Sequence, residues 1–124
     1  AVTRHPGVNF VICHLLAPNG KQEEELKRAL EGLALPNVWF DLASVPHNCM
    51  DASEPWKRAG AYVRLARDLV GADKLLFGTD MPSALKEAPY GDYVRWIREM
   101  EGLNDAEREQ ILYQNAAKVY AGLS

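Results

Sequence analysis

The chain contains no apolar run approaching the roughly 20 residues of a membrane helix, and no basic segment leading into an apolar one at its start, so neither a membrane span nor a secretory leader is expected. Cysteine is sparse. Cys13 and Cys49 are too few for a disulfide framework or a paired-Cys zinc motif in a mixed chain of 124 residues, and both are expected to be free thiols. A surplus of positive charge is also missing: 14 Lys and Arg against 17 Asp and Glu, interleaved, give a net charge of -3. With no basic face for phosphate to dock on, nucleic acid is excluded as an expected partner. Sequence repeats and low-complexity tracts are absent too. What remains is ordinary: 48% hydrophobic and 25% charged residues describe one compact unit, with the cytoplasm as default location; a homo-oligomer is an expectation that exposed sheet edges would carry. The chain begins with Ala1 rather than Met, so a preceding segment in the parent protein is expected.

Three apolar runs have strand length. Val8 to Cys13 (VNFVIC), Val38 to Leu42 (VWFDL) and Lys74 to Gly78 (KLLFG) are apolar nearly throughout rather than alternating, as buried parallel strands are. Between them lie helical patterns. Lys21 to Leu33 spaces Leu26, Ala29, Leu30 and Leu33 at threes and fours, with Asn19 available as a cap. A second helix is expected from about Ser53, with Pro55 in its first turn, to a stop at Gly71. Residues 43–51 and 79–91 read as loops. Tyr93, Trp96, Ile97 and Met100 form a third helical stripe ending at Gly102, and Asn104 with Glu107 resembles a capping box opening a final helix that Gln114-Asn115 interrupts before Tyr120. The order implies parallel βα units. Three strands alone would leave two open sheet edges.

In parallel α/β folds, ligands bind beyond the carboxy ends of the strands. The first expected strand ends in Cys13-His14, the second in Asp41-Leu42-Ala43-Ser44 and the third in Gly78-Thr79-Asp80. An imidazole at His14 can ligate a metal, move a proton near neutral pH, or satisfy one backbone hydrogen bond. A carboxylate at Asp80 can bind a metal, deprotonate water, or cap the turn made with Met81-Pro82. Taken singly, each fits the structural role at least as well as the chemical one. His47, in the loop after the second strand, reads as a solvated histidine with substrate contact as the sharper option. Asp41 is expected to orient backbone or a neighbouring ligand rather than bind metal. Cys13 is expected to point away from His14 towards the helices, which argues against a Cys-His pair. Phe10, Trp39, Tyr93 and Trp96 are read as core.

Taken together, these strings carry a resemblance. KLLFGTDMP resembles the eighth-strand motif of the amidohydrolase-related family (amidohydrolase family 2) of metal-dependent (β/α)8 barrels, which includes hydrolases and nonoxidative decarboxylases. FVICHL resembles its sixth strand ending in histidine, VWFDLAS its seventh, and ILYQNAAKVYAGL its closing helix, so the likeness covers nearly the whole chain. The resemblance implies an α/β fold, a partial TIM barrel of strands six to eight in a parallel sheet, with residues 1–124 as the carboxy-terminal portion of one hydrolase barrel domain. It implies Asp80 as a metal ligand and catalytic carboxylate, and His14 as the imidazole that polarises substrate or passes a proton. One divalent metal, zinc for preference, would lower the pKa of its water to about 7 beside a carboxylate that takes the proton. The substrate implied is a small carboxylated or cyclic molecule, hydrolysed or decarboxylated.

The family's His-x-His pair and fifth-strand histidine have no counterpart, since the other histidines are His5, expected at the opposite end of the barrel, and His47. Leu15-Leu16-Ala17-Pro18 also replaces the small residues that commonly follow the sixth-strand histidine. A whole barrel takes about 250 residues, so the chain is expected to be inactive by itself and to hold metal weakly or not at all. The competing expectation is a noncatalytic remnant or interaction domain that self-associates through exposed sheet edges.

Overall fold

A computed structural model of the chain describes residues 2–19 and 23–121. The three strands form, each shorter than its apolar run: β1 is Phe10–Ile12, β2 Val38–Asp41 and β3 Leu75–Leu76. Both pairings are parallel, with Phe10, Val11 and Ile12 opposite Val38, Trp39 and Phe40, and with Phe40 and Asp41 opposite Leu75 and Leu76. The sheet order β1-β2-β3 follows the chain, so each crossover steps to the next strand. β1 starts late because Val8 lies in a turn: its N–H donates to the His5 carbonyl, and its own carbonyl accepts from the Asn37 side-chain amide. His5 accepts from the same amide and so sits at the amino end of the sheet, as expected.

The crossovers are helices α1 (Glu23–Gly32) and, after a one-turn helix α2 (Val45–Asn48), α3 (Pro55–Val70). Glu23, Glu24 and Glu25 in the first turn of α1 complement the positive helix end. The start expected at Lys21, and its capping by Asn19, involve positions 20–22, which lie outside the described residues. Pro55 opens α3, and Gly71 ends it with φ 93°, a conformation that suits a residue without Cβ. α2 occupies what reads as a loop in sequence, because buried Val45 and Pro46 fold it onto the core.

Val38 and Phe40 turn one face of β2 into that core, against Leu26 and Leu30 of α1 and Ala59, Val63 and Ala66 of α3. Period-two alternation then puts Trp39 and Asp41 on the other face, half-buried. Trp39 is therefore not in the helix-covered core that its apolar surroundings imply; the Lys74 ammonium lies 4.1 Å from its ring centroid.

Helix α4 (Tyr90–Arg98) buries Tyr93 and Ile97 and stops before Met100, which stays buried in the following turn. The expected capping box is present: Glu107 N–H donates to Asn104 Oδ1 at 2.8 Å, and Asn104 N–H to Glu107 Oε1 at 3.0 Å. It opens α5 (Asp105–Glu109), which runs through a π-turn (Gln110–Gln114) into α6 (Asn115–Val119). The expected interruption is thus a widened turn rather than a break. Asn115 N–H bonds the carbonyl five residues back, at Gln110, and frees the Ile111 carbonyl to accept from Phe77 N–H at 2.9 Å. The Asn115 side-chain amide donates to the Ala72 and Leu75 carbonyls at 2.7 and 2.8 Å. These bonds occupy the outer edge of β3, so that edge is not the open one that a bare three-stranded sheet presents.

Candidate functional site

Beyond the carboxy ends of the strands, the backbone becomes unusual. Past β1, His14, Leu15, Leu16 and Ala17 all have positive φ, 58°, 50°, 63° and 53°, making a left-handed turn closed by Ala17 N–H on the His14 carbonyl at 2.7 Å. For residues carrying Cβ this costs about 1–2 kcal/mol each. Tertiary anchors hold it. Leu15 is fully buried in the core, and the His14 N–H donates to Asp41 Oδ1 at 3.0 Å. The half-buried His14 ring has no hydrogen-bond partner among the described residues.

Asp41 behaves as the sequence implies: its carboxylate organises backbone, accepting the Ala43 N–H at 3.1 Å with the same oxygen that holds His14. Cys13 does not. It is exposed and shares the Asp41 side of the sheet, where the carboxylate's negative charge and its hydrogen bond raise the thiol pKa above the ordinary value. The expectation that Cys13 faces the helices assumed that His14 continues the strand alternation. The strand ends at Ile12, and the left-handed turn, not the alternation, carries the imidazole. Cys49 is fully buried, and both thiols are free.

Past β3, Asp80 adopts φ 63° before the cis Met81-Pro82 peptide, and its side chain is exposed. The Ser44 hydroxyl donates to Asp80 Oδ2 at 2.7 Å; Ser44 is itself at φ 60° and only 8% exposed. A second link joins the same two loops, where His47 Nδ1 and Glu87 Oε1 lie 2.7 Å apart. Between these links is a cleft of about 300 Å³ lined by Ser44, His47, Asp80, Ser83, Lys86 and Glu87. His14 and Asp80 thus occupy loops at the same end of one parallel sheet, on either side of the β2 exit. Ser44 stands in the DLAS string and Glu87 in a long loop without periodicity; neither was singled out from sequence, because hydroxyl and carboxylate partners have no spacing signature.

Among the described residues, no three His, Cys, Asp or Glu side chains gather as a metal site. Asp80 nevertheless has the chemistry of one ligand: Ser44 takes Oδ2, and Oδ1 has no partner among the described residues. The chain fits a divalent metal as a contributor of donors, not as a closed set.

Comparison with known proteins sets this chain beside longer ones. The chain is 31% identical over 102 residues to an L-fucono-1,5-lactonase from Burkholderia ambifaria, an alignment covering 76% of this chain and 33% of the lactonase. An amidohydrolase from Burkholderia multivorans with bound zinc superposes with a TM-score of 0.82 at 25% identity, covering 96% of this chain and 46% of that one. A dihydroxybenzoic acid decarboxylase from Polaromonas with bound manganese superposes with a TM-score of 0.62 at 14% identity over 96% of this chain and 35% of that one, a likeness of fold alone. The chain therefore spans between a third and a half of the length of these proteins. The family model described as Amidohydrolase matches residues 1–122, and with that match the chain belongs to the amidohydrolase family.

Proposed function

We propose that this chain is the carboxy-terminal part, strands six to eight, of a single barrel domain in a metal-dependent hydrolase that opens a small cyclic ester. The observation carrying the proposal is the placement of Asp80: a carboxylate at the carboxy end of a parallel sheet, one oxygen held by a buried hydroxyl and the other without a partner among the described residues, across the β2 exit from an imidazole that likewise has none among them. A divalent metal, when bound, supplies a positive charge that polarises a carbonyl and acidifies water. Asp80 would help hold that charge through Oδ1 and would take up the proton released when water attacks. His14, through a ring N–H, would donate to the oxygen on which negative charge builds, or, entering the step protonated, would give its own proton to the leaving alkoxide and regain one from Asp80. The polar cleft beside Asp80 accepts the substrate's oxygen substituents, with His47 at its rim. The remaining metal donors come from the part of the parent protein that this chain does not span.

Hydrolysis is favoured over decarboxylation because the 31% sequence identity is to a lactonase, whereas the decarboxylase likeness is at 14% and speaks to fold. The self-associating remnant gains less support, since Ile111 and Asn115 already occupy one sheet edge.

The test is hydrolysis of an aldono-1,5-lactone by the zinc-loaded protein as its gene encodes it. Asp80→Asn is expected to lower kcat by at least ~10³-fold and weaken zinc binding, and His14→Ala to lower kcat by ~10²-fold with zinc affinity retained. Unchanged turnover in Asp80→Asn would falsify the proposal.

A further inference from the structure

We infer that Asp41–Ser44, at the exit of the middle strand, is a two-armed bracket whose arms position His14 and Asp80. The inference rests on the roles proposed above for those two residues. Among the described strands β2 alone has a strand on each side, and its exit reaches the loops after β1 and β3 together. One arm is Asp41. It lies on the sheet face away from the helices, and its Oδ1 accepts both the His14 N–H at 3.0 Å and the Ala43 N–H at 3.1 Å. The first bond ties down the first residue of a left-handed turn that non-glycine residues do not hold unaided, so it fixes where the chain turns and hence where the imidazole stands. The second bond ties the bracket to itself and keeps Asp41 from swinging away. The other arm is Ser44, whose buried hydroxyl fixes one oxygen of Asp80 and leaves the other for a ligand. Its own left-handed φ of 60° places the hydroxyl after the short run Leu42-Ala43. Asp41 thus acts on His14 through the main chain and Ser44 acts on Asp80 through the side chain, so the two arms have separable consequences.

The experiment reads two quantities in the zinc-loaded protein as its gene encodes it: kcat and KM on an aldono-1,5-lactone, and the zinc dissociation constant by calorimetry. Asp41→Ala is expected to lower kcat by about 10²-fold, the scale of a small misplacement of a catalytic group, with KM and zinc affinity within ~3-fold of the parent. Asp41→Asn keeps an oxygen that accepts both N–H groups, and kcat is expected back within ~3-fold. Ser44→Gly suits the left-handed backbone and removes the short hydroxymethyl side chain; zinc affinity is expected to fall about 10- to 100-fold, as for other partners that orient metal ligands. Should Asp41→Ala weaken zinc and kcat together as Ser44→Gly does, or should Asp41→Asn match Asp41→Ala, the bracket is overturned in favour of a general loosening of the loops. The underlying reading fails separately, and visibly, when His14→Ala or Asp80→Asn leaves both quantities unchanged.

Discussion

Ala17 closes a left-handed turn at φ 53° and ψ 58°, a region where Cβ crowds the following carbonyl. Glycine pays no such penalty there, although it loses more chain entropy on folding. Ala17→Gly is therefore expected to stabilise the protein by about 0.5–1 kcal/mol, read as a higher urea midpoint at constant m-value. A drop in the midpoint would show that the turn carries no strain. Cys13 offers a second test at this scale. Asp41's charge is the largest cause of its raised thiol pKa, so neutralising it in Asp41→Asn lowers that pKa and increases the thiolate fraction at pH 8. Alkylation of Cys13 by iodoacetamide is expected to accelerate several-fold, with buried Cys49 silent in both proteins. An unchanged rate would mean the thiol does not sense Asp41. His47, linked to Glu87 at the cleft, is expected to affect recognition: His47→Gln should raise KM about 3- to 10-fold with kcat held, and an unaffected KM would return it to the solvated role. At this scale the positions of His14 and Asp80 are legible in sequence because each lies just past an apolar run of strand length. The direction of Cys13 is not, because period-two alternation predicts faces only while the strand lasts.

The widened turn between α5 and α6 is the device that finishes the sheet. Asn115, 3% exposed, answers two carbonyls on β3 with one amide, and the Ile111 carbonyl released by the π-turn answers Phe77. Asn115→Ala would leave the Ala72 and Leu75 carbonyls buried without partners, at a cost of about 3 kcal/mol, measurable by urea denaturation. A loss below ~1 kcal/mol would mean that water reaches that edge. Among the elements, helices α3 and α4 and the capping box at Asn104 are readable because a 3.6-residue stripe or a fixed three-residue offset lies wholly within one segment. The π-turn is not, since an apolar stripe tolerates one extra residue without losing its face. Helix α2 escapes for a related reason: four residues are too few to show a period, and only the burial of Val45 and Pro46 makes them a turn of helix. The strands shorten because ladder hydrogen bonds stop where the neighbouring strand's backbone departs.

On the scale of the molecule, the chain is a wall of three strands, with helices α1 and α3 packed against one face and Val11, Trp39 and Asp41 on the other. On the reading proposed above, this chain supplies one carboxylate and one imidazole, too few donors to hold zinc tightly. Calorimetric titration of the 124-residue chain alone is therefore expected to give a dissociation constant weaker than ~10 μM, and the same chain is expected not to hydrolyse lactones. Tight binding abolished by Asp80→Ala would overturn the incomplete-site reading. Amino-acid order accounts for the α/β class, the parallel strands and the placing of His14 and Asp80 past the ends of β1 and β3, because burial along a segment writes a period into that segment. Folded geometry was needed to join Ser44 to Asp80, 36 positions apart, and Asp41 to the His14 backbone, 27 apart. Those bonds depend on strand register and on left-handed turns held by distant packing, and no local pattern of residues encodes either.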